Sequence, residues 1–133
     1  MFYYTWNTLL PFTVNFRSDQ PAYEQVVFAA KKAVAAGALH PGDRFPSVRA
    51  LSQELRINPN TAHKVVAQLT AEGLLQVQPG IGTIVQHAPK ATAADRRRWL
   101  EVEIDRLVVE ARHRGLNETQ ILDAIRRRHA KDI

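Results

Sequence analysis

The tightest constraint on this chain lies between Ser47 and Gly73, where two amphipathic helical patterns are joined by a break of only three or four residues. Ser47 is placed to cap the first helix, whose inner face is Val48, Leu51 and Leu55. The pattern breaks at Arg56-Ile57. Asn58 is then placed as an N-cap with Pro59 at the first helical position, where a missing N–H costs nothing. Ala62, Val65, Val66 and Leu69 make the buried face of the second helix, and Gly73 ends it. Two short helices at this separation are the spacing of a helix-turn-helix.

The stretch after the second helix narrows the architecture further. Leu74–Gln78 and Thr83–Gln86 read as two short strands, with Pro79-Gly80-Ile81-Gly82 between them as a tight hairpin loop. A two-stranded ribbon directly after a helix-turn-helix is a wing. Upstream, Pro21 opens a helix carrying Tyr23, Val26, Val27, Ala30 and Val34 on one face, with Gly37 as its stop and Pro41-Gly42 as a turn. Before it, Phe12, Val14 and Phe16 alternate with polar residues as a short extended arm. Phe2, Tyr3, Tyr4, Trp6, Leu9 and Leu10 make the first residues too apolar for a solvated tail, so they should pack on this protomer or its mate.

His87-Ala88-Pro89-Lys90-Ala91 reads as a linker. Beyond it a helix is expected from about Thr92 to Arg114, with Leu100, Ile104, Leu107, Val108 and Ala111 on one stripe and Gly115 as its stop. Asn117 and Gln120 form a capping-box pattern for a last helix with Ile121, Leu122 and Ile125 on its apolar face. The fold class is therefore α+β and mostly α: a winged helix-turn-helix over 1–88, with an N-terminal arm over 1–20, followed by a two-helix dimerisation tail over 89–133. Two amphipathic helices alone cannot bury both stripes, and a second copy of the same surface would.

The recognition helix also carries the candidate chemistry. With Ala62, Val65, Val66 and Leu69 turned inward, Asn60, Lys64, Ala67 and Gln68 face outward, flanked by Thr61 and His63. Asn and Gln can form bidentate hydrogen bonds to adenine, and Lys can reach guanine or phosphate. The first turn of such a helix enters the major groove, and its N-terminal dipole favours a phosphate. A net charge of +5 favours a polyanionic partner, but the excess is spread evenly. Residues 1–88 carry seven Lys/Arg against five Asp/Glu, and residues 89–133 eleven against eight.

The run Phe45-Pro46-Ser47-Val48-Arg49-Ala50-Leu51-Ser52-Gln53-Glu54-Leu55 resembles the start of the GntR-family DNA-binding domain. The resemblance continues in order through Asn58-Pro59-Asn60-Thr61-Ala62, Leu69-Thr70-Ala71-Glu72-Gly73-Leu74-Leu75 and Gly80-Ile81-Gly82-Thr83-Ile84-Val85, covering about residues 12–86. The short helical tail and the Asn-Pro-Asn-Thr segment look like the YtrA subfamily. The resemblance implies a sequence-specific DNA-binding transcription regulator, usually a repressor, that binds a palindromic operator in duplex DNA as a homodimer; the lack of a bilayer-spanning run and of a secretory-signal pattern makes a cytoplasmic protein the expectation. It implies DNA contacts at Arg49 on the first motif helix, at Asn60, Thr61, His63 and Lys64 on the reading turn, and at Gly80 on the wing tip. Two departures stand out. Pro59 occupies a position where most members have a DNA-contacting arginine, and Gln78-Pro79-Gly80 replaces a basic approach to the wing tip. Both lower the electrostatic grip expected of this chain.

Other function classes find little support. Cysteine is absent, so thiolate metal sites and disulfides are excluded. The five histidines are scattered, with no i, i+4 pair and no HExxH, so no metal or cofactor is expected. No nucleophile motif, P-loop or dinucleotide fingerprint occurs, which argues against an enzyme. Apolar runs are too short and too often interrupted by charge to span a bilayer, and the start lacks the pattern of a secretory signal. Arg96-Arg97-Arg98 and Arg126-Arg127-Arg128 read as solvated helix faces, with a second phosphate-contacting surface as the alternative for the first cluster. A winged helix used only for protein contact is the rival reading. A small-molecule effector stays open, since a tail this size cannot enclose a typical pocket by itself, although a dimer interface could.

Overall fold

The computed structural model describes residues 10–87 and 90–131. They form α1 (Ala22–Ala35), α2 (Val48–Leu55), α3 (Pro59–Ala71), β1 (Leu75–Gln78), β2 (Gly82–Val85), α4 (Ala93–His113) and α5 (Glu118–Ala130). The chain divides into two units, Met1–Pro89 and Lys90–Ile133. Phe2, Tyr3, Tyr4, Trp6 and Leu9, expected to pack on a protomer, lie outside the described residues.

Helix starts fall where the capping residues place them. Ser47 Oγ accepts from the Ala50 N–H at 3.0 Å, and Asn58 Oδ1 accepts from the Asn60 N–H at 2.8 Å. Each satisfies one of the donors that a helix start leaves unpaired. Pro59 stands at the first position of α3, as its fixed φ and missing donor favour. The turn between α2 and α3 closes through Arg56, the one non-glycine residue with positive φ among the described residues, at 54°. An αL arginine is strained, and the strain is offset by the burial of Leu51 against Ala62, Val65 and Leu69 that the sharp turn allows.

The core of the first unit is made by all its elements. Val26, Val27, Ala30 and Ala33 of α1, Leu51 of α2 and Ala62, Val65 and Leu69 of α3 meet Leu39, Phe45, Leu75 and Val85 in one buried cluster. The arm closes one side of it. Leu10, Phe12 and Val14 are half-buried against this core, and the Phe12 and Phe45 rings stack with centroids 6.0 Å apart. Phe16 departs from the expected alternation and is exposed. Side-chain burial at Leu10, Phe12 and Val14 and hydrogen bonds between the Gln25 side chain and the Arg17 backbone, rather than strand pairing, hold the described part of the arm.

The wing pairs Leu75 with Val85 through to Gln78 with Gly82, antiparallel, each strand within a residue of its expected ends. The Ile81 N–H donates to the Gln78 carbonyl at 3.0 Å, with Pro79 and Gly80 between them and Gly80 at φ +78°. That is the pattern of a type II turn, whose third position excludes most side-chain-bearing residues. An unexpected addition lies on the outer edge of β2. The Phe45 N–H donates to Thr83 O and the Gly42 N–H to Val85 O, both at 2.8 Å, while the Val85 N–H donates to Asp43 O at 2.9 Å. The segment before α2 is thereby tied to the wing, which fixes the hairpin relative to the helix-turn-helix.

In the second unit, Thr92 caps α4 through its side chain, and Asn117 and Gln120 form the reciprocal capping box of α5, with bonds of 2.8 and 2.9 Å. Exposed i, i+3 and i, i+4 pairs line the two helices, including Arg98–Asp95, Arg114–Glu110 and Arg126–Asp123. Ala111 is the buried apolar residue where the helices meet, with Val108 and Ile121 half-buried around it. Leu100, Ile104, Leu107, Leu122 and Ile125 remain exposed, and Leu107 and Ile125 line an open groove of ≈ 650 Å³ between α4 and α5.

Candidate nucleic-acid interface

The outward face of α3 is set by its buried one. With Ala62, Val65 and Leu69 fully enclosed, a 100° step per residue sets Asn60 and Ala67 opposite the core. His63 and Lys64 fall about 50° to either side of that line. Asn60, His63, Lys64, Ala67 and Gln68 are exposed, and Thr61 is half-buried on the flank. Asn58 and Asn60 have distinct roles despite their proximity. The side chain of Asn58 is occupied in capping the helix, whereas the Asn60 carboxamide has no hydrogen-bond partner among the described residues. It is free to present a donor and an acceptor together to a base edge.

Arg49 lies in the first turn of α2, exposed, and its guanidinium has no ion-pair partner among the described residues. Gly80 sits at the exposed wing tip, where nothing lies within 4 Å of the space a side chain would begin to fill. That open space would let backbone approach a groove closely. From Leu75 to Val85 the wing has no charged side chain at all, and its exposed apolar residues are Val77 and Ile81. Arg49, the α3 row and the wing tip thus share one unit but belong to three separate elements.

Within the reading turn, the Lys64 side chain is already engaged. Its Nζ lies 3.9 Å from the centroid of the Tyr23 ring, on α1. The sequence offered no signal for this pairing, because Tyr23 fits the apolar stripe of α1 and reads as core. Further along the same two helices Lys31 pairs with Glu72, and Gln68 Nε2 donates to the other Glu72 oxygen at 2.9 Å. The hydrogen bond from Lys31 holds the Glu72 carboxyl below its ordinary value, against the opposing effect of partial burial. No cluster of three or more potential metal-binding side chains occurs among the described residues.

This geometry meets its counterparts among known proteins. The family of bacterial regulatory proteins named gntR matches residues 22–85, from the start of α1 to the end of the wing. The HTH-type transcriptional repressor YtrA of Bacillus subtilis is 32% identical over 101 residues, covering 75% of this chain and 78% of that one. The chain belongs to the GntR family. It is a DNA-binding transcription regulator of the YtrA-like kind, not an enzyme. The solved structure of YtrA from Sulfolobus acidocaldarius, a GntR-family transcription factor, superimposes with a TM-score of 0.60 at 30% identity, covering 74% of this chain and 97% of that one. The DNA-binding domain of AraR in complex with its operator ORX1 gives a TM-score of 0.51 at 26% identity, over 56% of this chain and 95% of that domain. Among the described residues no helix is long and apolar enough to cross a membrane.

Proposed function

We propose that this GntR-family chain is a cytoplasmic repressor that binds a palindromic operator as a homodimer, with one α3 in each of two successive major grooves. Asn60, Thr61, His63 and Lys64 present the reading turn, Arg49 holds the backbone from α2, and Gly80 brings the wing tip to the adjoining minor groove. The observation that carries this reading is the α3 row. Its buried side is fully enclosed, while its outward carboxamide and imidazole have no partner within the described protein. Repression is supported by the Bacillus subtilis relative, which is a transcriptional repressor.

The second unit supports pairing with another copy. Leu107 and Ile125 are 41% and 42% exposed on the two sides of an apolar groove, and Leu100 is 52% exposed further along α4. An open groove of this kind suits a row of side chains from a second helix better than an enclosed small molecule.

The test is selection of bound duplexes from a random pool, followed by titration against the selected and a scrambled duplex at several salt concentrations. A palindrome should emerge, with Kd rising steeply as salt increases. A Kd independent of salt, or a selected site without two-fold symmetry, would overturn the proposal.

A further inference from the structure

α1 and α3 lie side by side and point the same way. Tyr23 meets Lys64, and Lys31 meets Glu72; both pairs are separated by 41 positions in the chain. The second contact therefore lies eight residues beyond the first on each helix, which only parallel neighbours in fixed register allow. Tyr23 is half-buried and packs against the core, so its ring is a fixed surface. Lys64 is exposed and would otherwise sample many rotamers. The ring draws its ammonium sideways, toward α1 and away from the outward line of Asn60 and Ala67.

We infer that Tyr23 is a positioning residue that makes Lys64 a preset phosphate clamp rather than a base reader. The inference rests on the DNA-contacting face proposed above and assigns a different job to one of its members. An ammonium has three N–H donors and attracts the face of an aromatic ring as a point charge. One side can rest on Tyr23 while the other donates to a phosphate oxygen at the groove edge. Holding the lysine before DNA arrives removes part of the ordering cost from the binding step. A contact to phosphate carries no base information, so Lys64 would set the register of α3 and leave discrimination to Asn60 and His63.

The test uses the full chain with the selected operator and a scrambled duplex of equal length. Lys64→Met keeps the alkyl stem at an exposed position and should weaken both duplexes by a similar factor, lowering the slope of log K against log salt by about one. Tyr23→Leu should weaken both by about two- to fivefold, the range expected of an exposed cation–π contact. Tyr23→Phe should restore what Tyr23→Leu loses. In the Lys64→Met background Tyr23→Leu should add nothing. In the DNA-free protein the Lys64 ε-methylene protons should resonate upfield of those of other lysines, and Tyr23→Leu should abolish that shift.

A selective loss of operator affinity in Lys64→Met would make Lys64 a base reader and overturn the inference. So would an equal effect of Tyr23→Leu with and without Lys64, or a Lys64 signal lacking the upfield shift. Failure of the DNA-binding reading looks different: the unaltered chain would show no salt-dependent duplex binding, while the upfield signal persists.

Discussion

The winged-helix unit and the helical hairpin start their helices equally well, yet they treat apolar residues in opposite ways. Side-chain caps at Ser47 and Asn58 have counterparts at Thr92 and Asn117. In the first unit, three helices, an arm and a hairpin converge so that Leu51, Val65 and Leu69 are fully enclosed. In the second, Ala111 alone among the described residues is buried, and Trp99, Leu100, Ile104, Leu107, Leu122 and Ile125 face outward. Good local structure is therefore not what separates the units. Two helices share a single seam, and stripes as wide as those of α4 and α5 need a further layer to cover them. One unit completes its own core; the other offers a surface, which we assign to a second copy of the chain.

Removing the second unit is the strongest way to break that contrast. A chain ending at residue 88 should keep its fold, sediment as a monomer and lose about 10²–10⁴ in operator affinity, because the second half-site loses its effective concentration. Persistence of a dimer would assign the pairing to the first unit instead. Single core and surface substitutions sharpen the contrast. Leu51→Ala removes a fully enclosed side chain and should cost about 2–5 kcal/mol in chemical denaturation. Leu107→Ala, at a position 41% exposed, should cost the protomer under about 1 kcal/mol while shifting the monomer–dimer balance in sedimentation. A large loss of protomer stability at Leu107 would mean that the hairpin has a core of its own.

Within the first unit, Asn60→Ala should lower discrimination between operator and scrambled duplex by about 1–3 kcal/mol, with no change in thermal stability. Unchanged discrimination would move the reading face off this side of α3. The smallest expected effect concerns the Lys31–Glu72 pair. Glu72 has a depressed folded pKa, so its contribution is present above its ordinary value of 4.5 and fades as pH falls through the folded value. Lys31→Met should therefore destabilise the chain at neutral pH by no more than about 1 kcal/mol, since the pair is partly exposed. The gap between the two proteins should close in acid unfolding experiments; a gap that stayed constant across pH would exclude the ion pair as its source.

Much of the geometry of the candidate interface was legible from short-range signals. The Ser47 and Asn58 caps, Pro59, the Pro79-Gly80 turn and the spacing of Ala62, Val65 and Leu69 suffice to place Asn60, His63 and Lys64 on an outward face. The residues of α4 and α5 that would face a partner were equally visible, because an amphipathic stripe shows in its period before anything covers it. Tyr23 is different, because its sequence context marks it as plain core. Its position in the α1 stripe satisfies the periodicity, and no local rule indicates which residue of another helix its ring will meet.

The sequence alone thus determined where helices begin, how the wing turns and which side of α3 looks outward. Those features depend on hydrogen bonds and steric limits within a turn or two of the chain. Only the tertiary structure decided that residues 42–45 bind the outer edge of β2, that Phe12 stacks on Phe45 and that Tyr23 holds Lys64. Each joins parts of the chain far apart in sequence, and their meeting depends on how whole helices and strands pack. The parallel register of α1 and α3 is set by the shared core of Val26, Ala30, Val65 and Leu69, and the lysine on the reading helix inherits its direction from that packing.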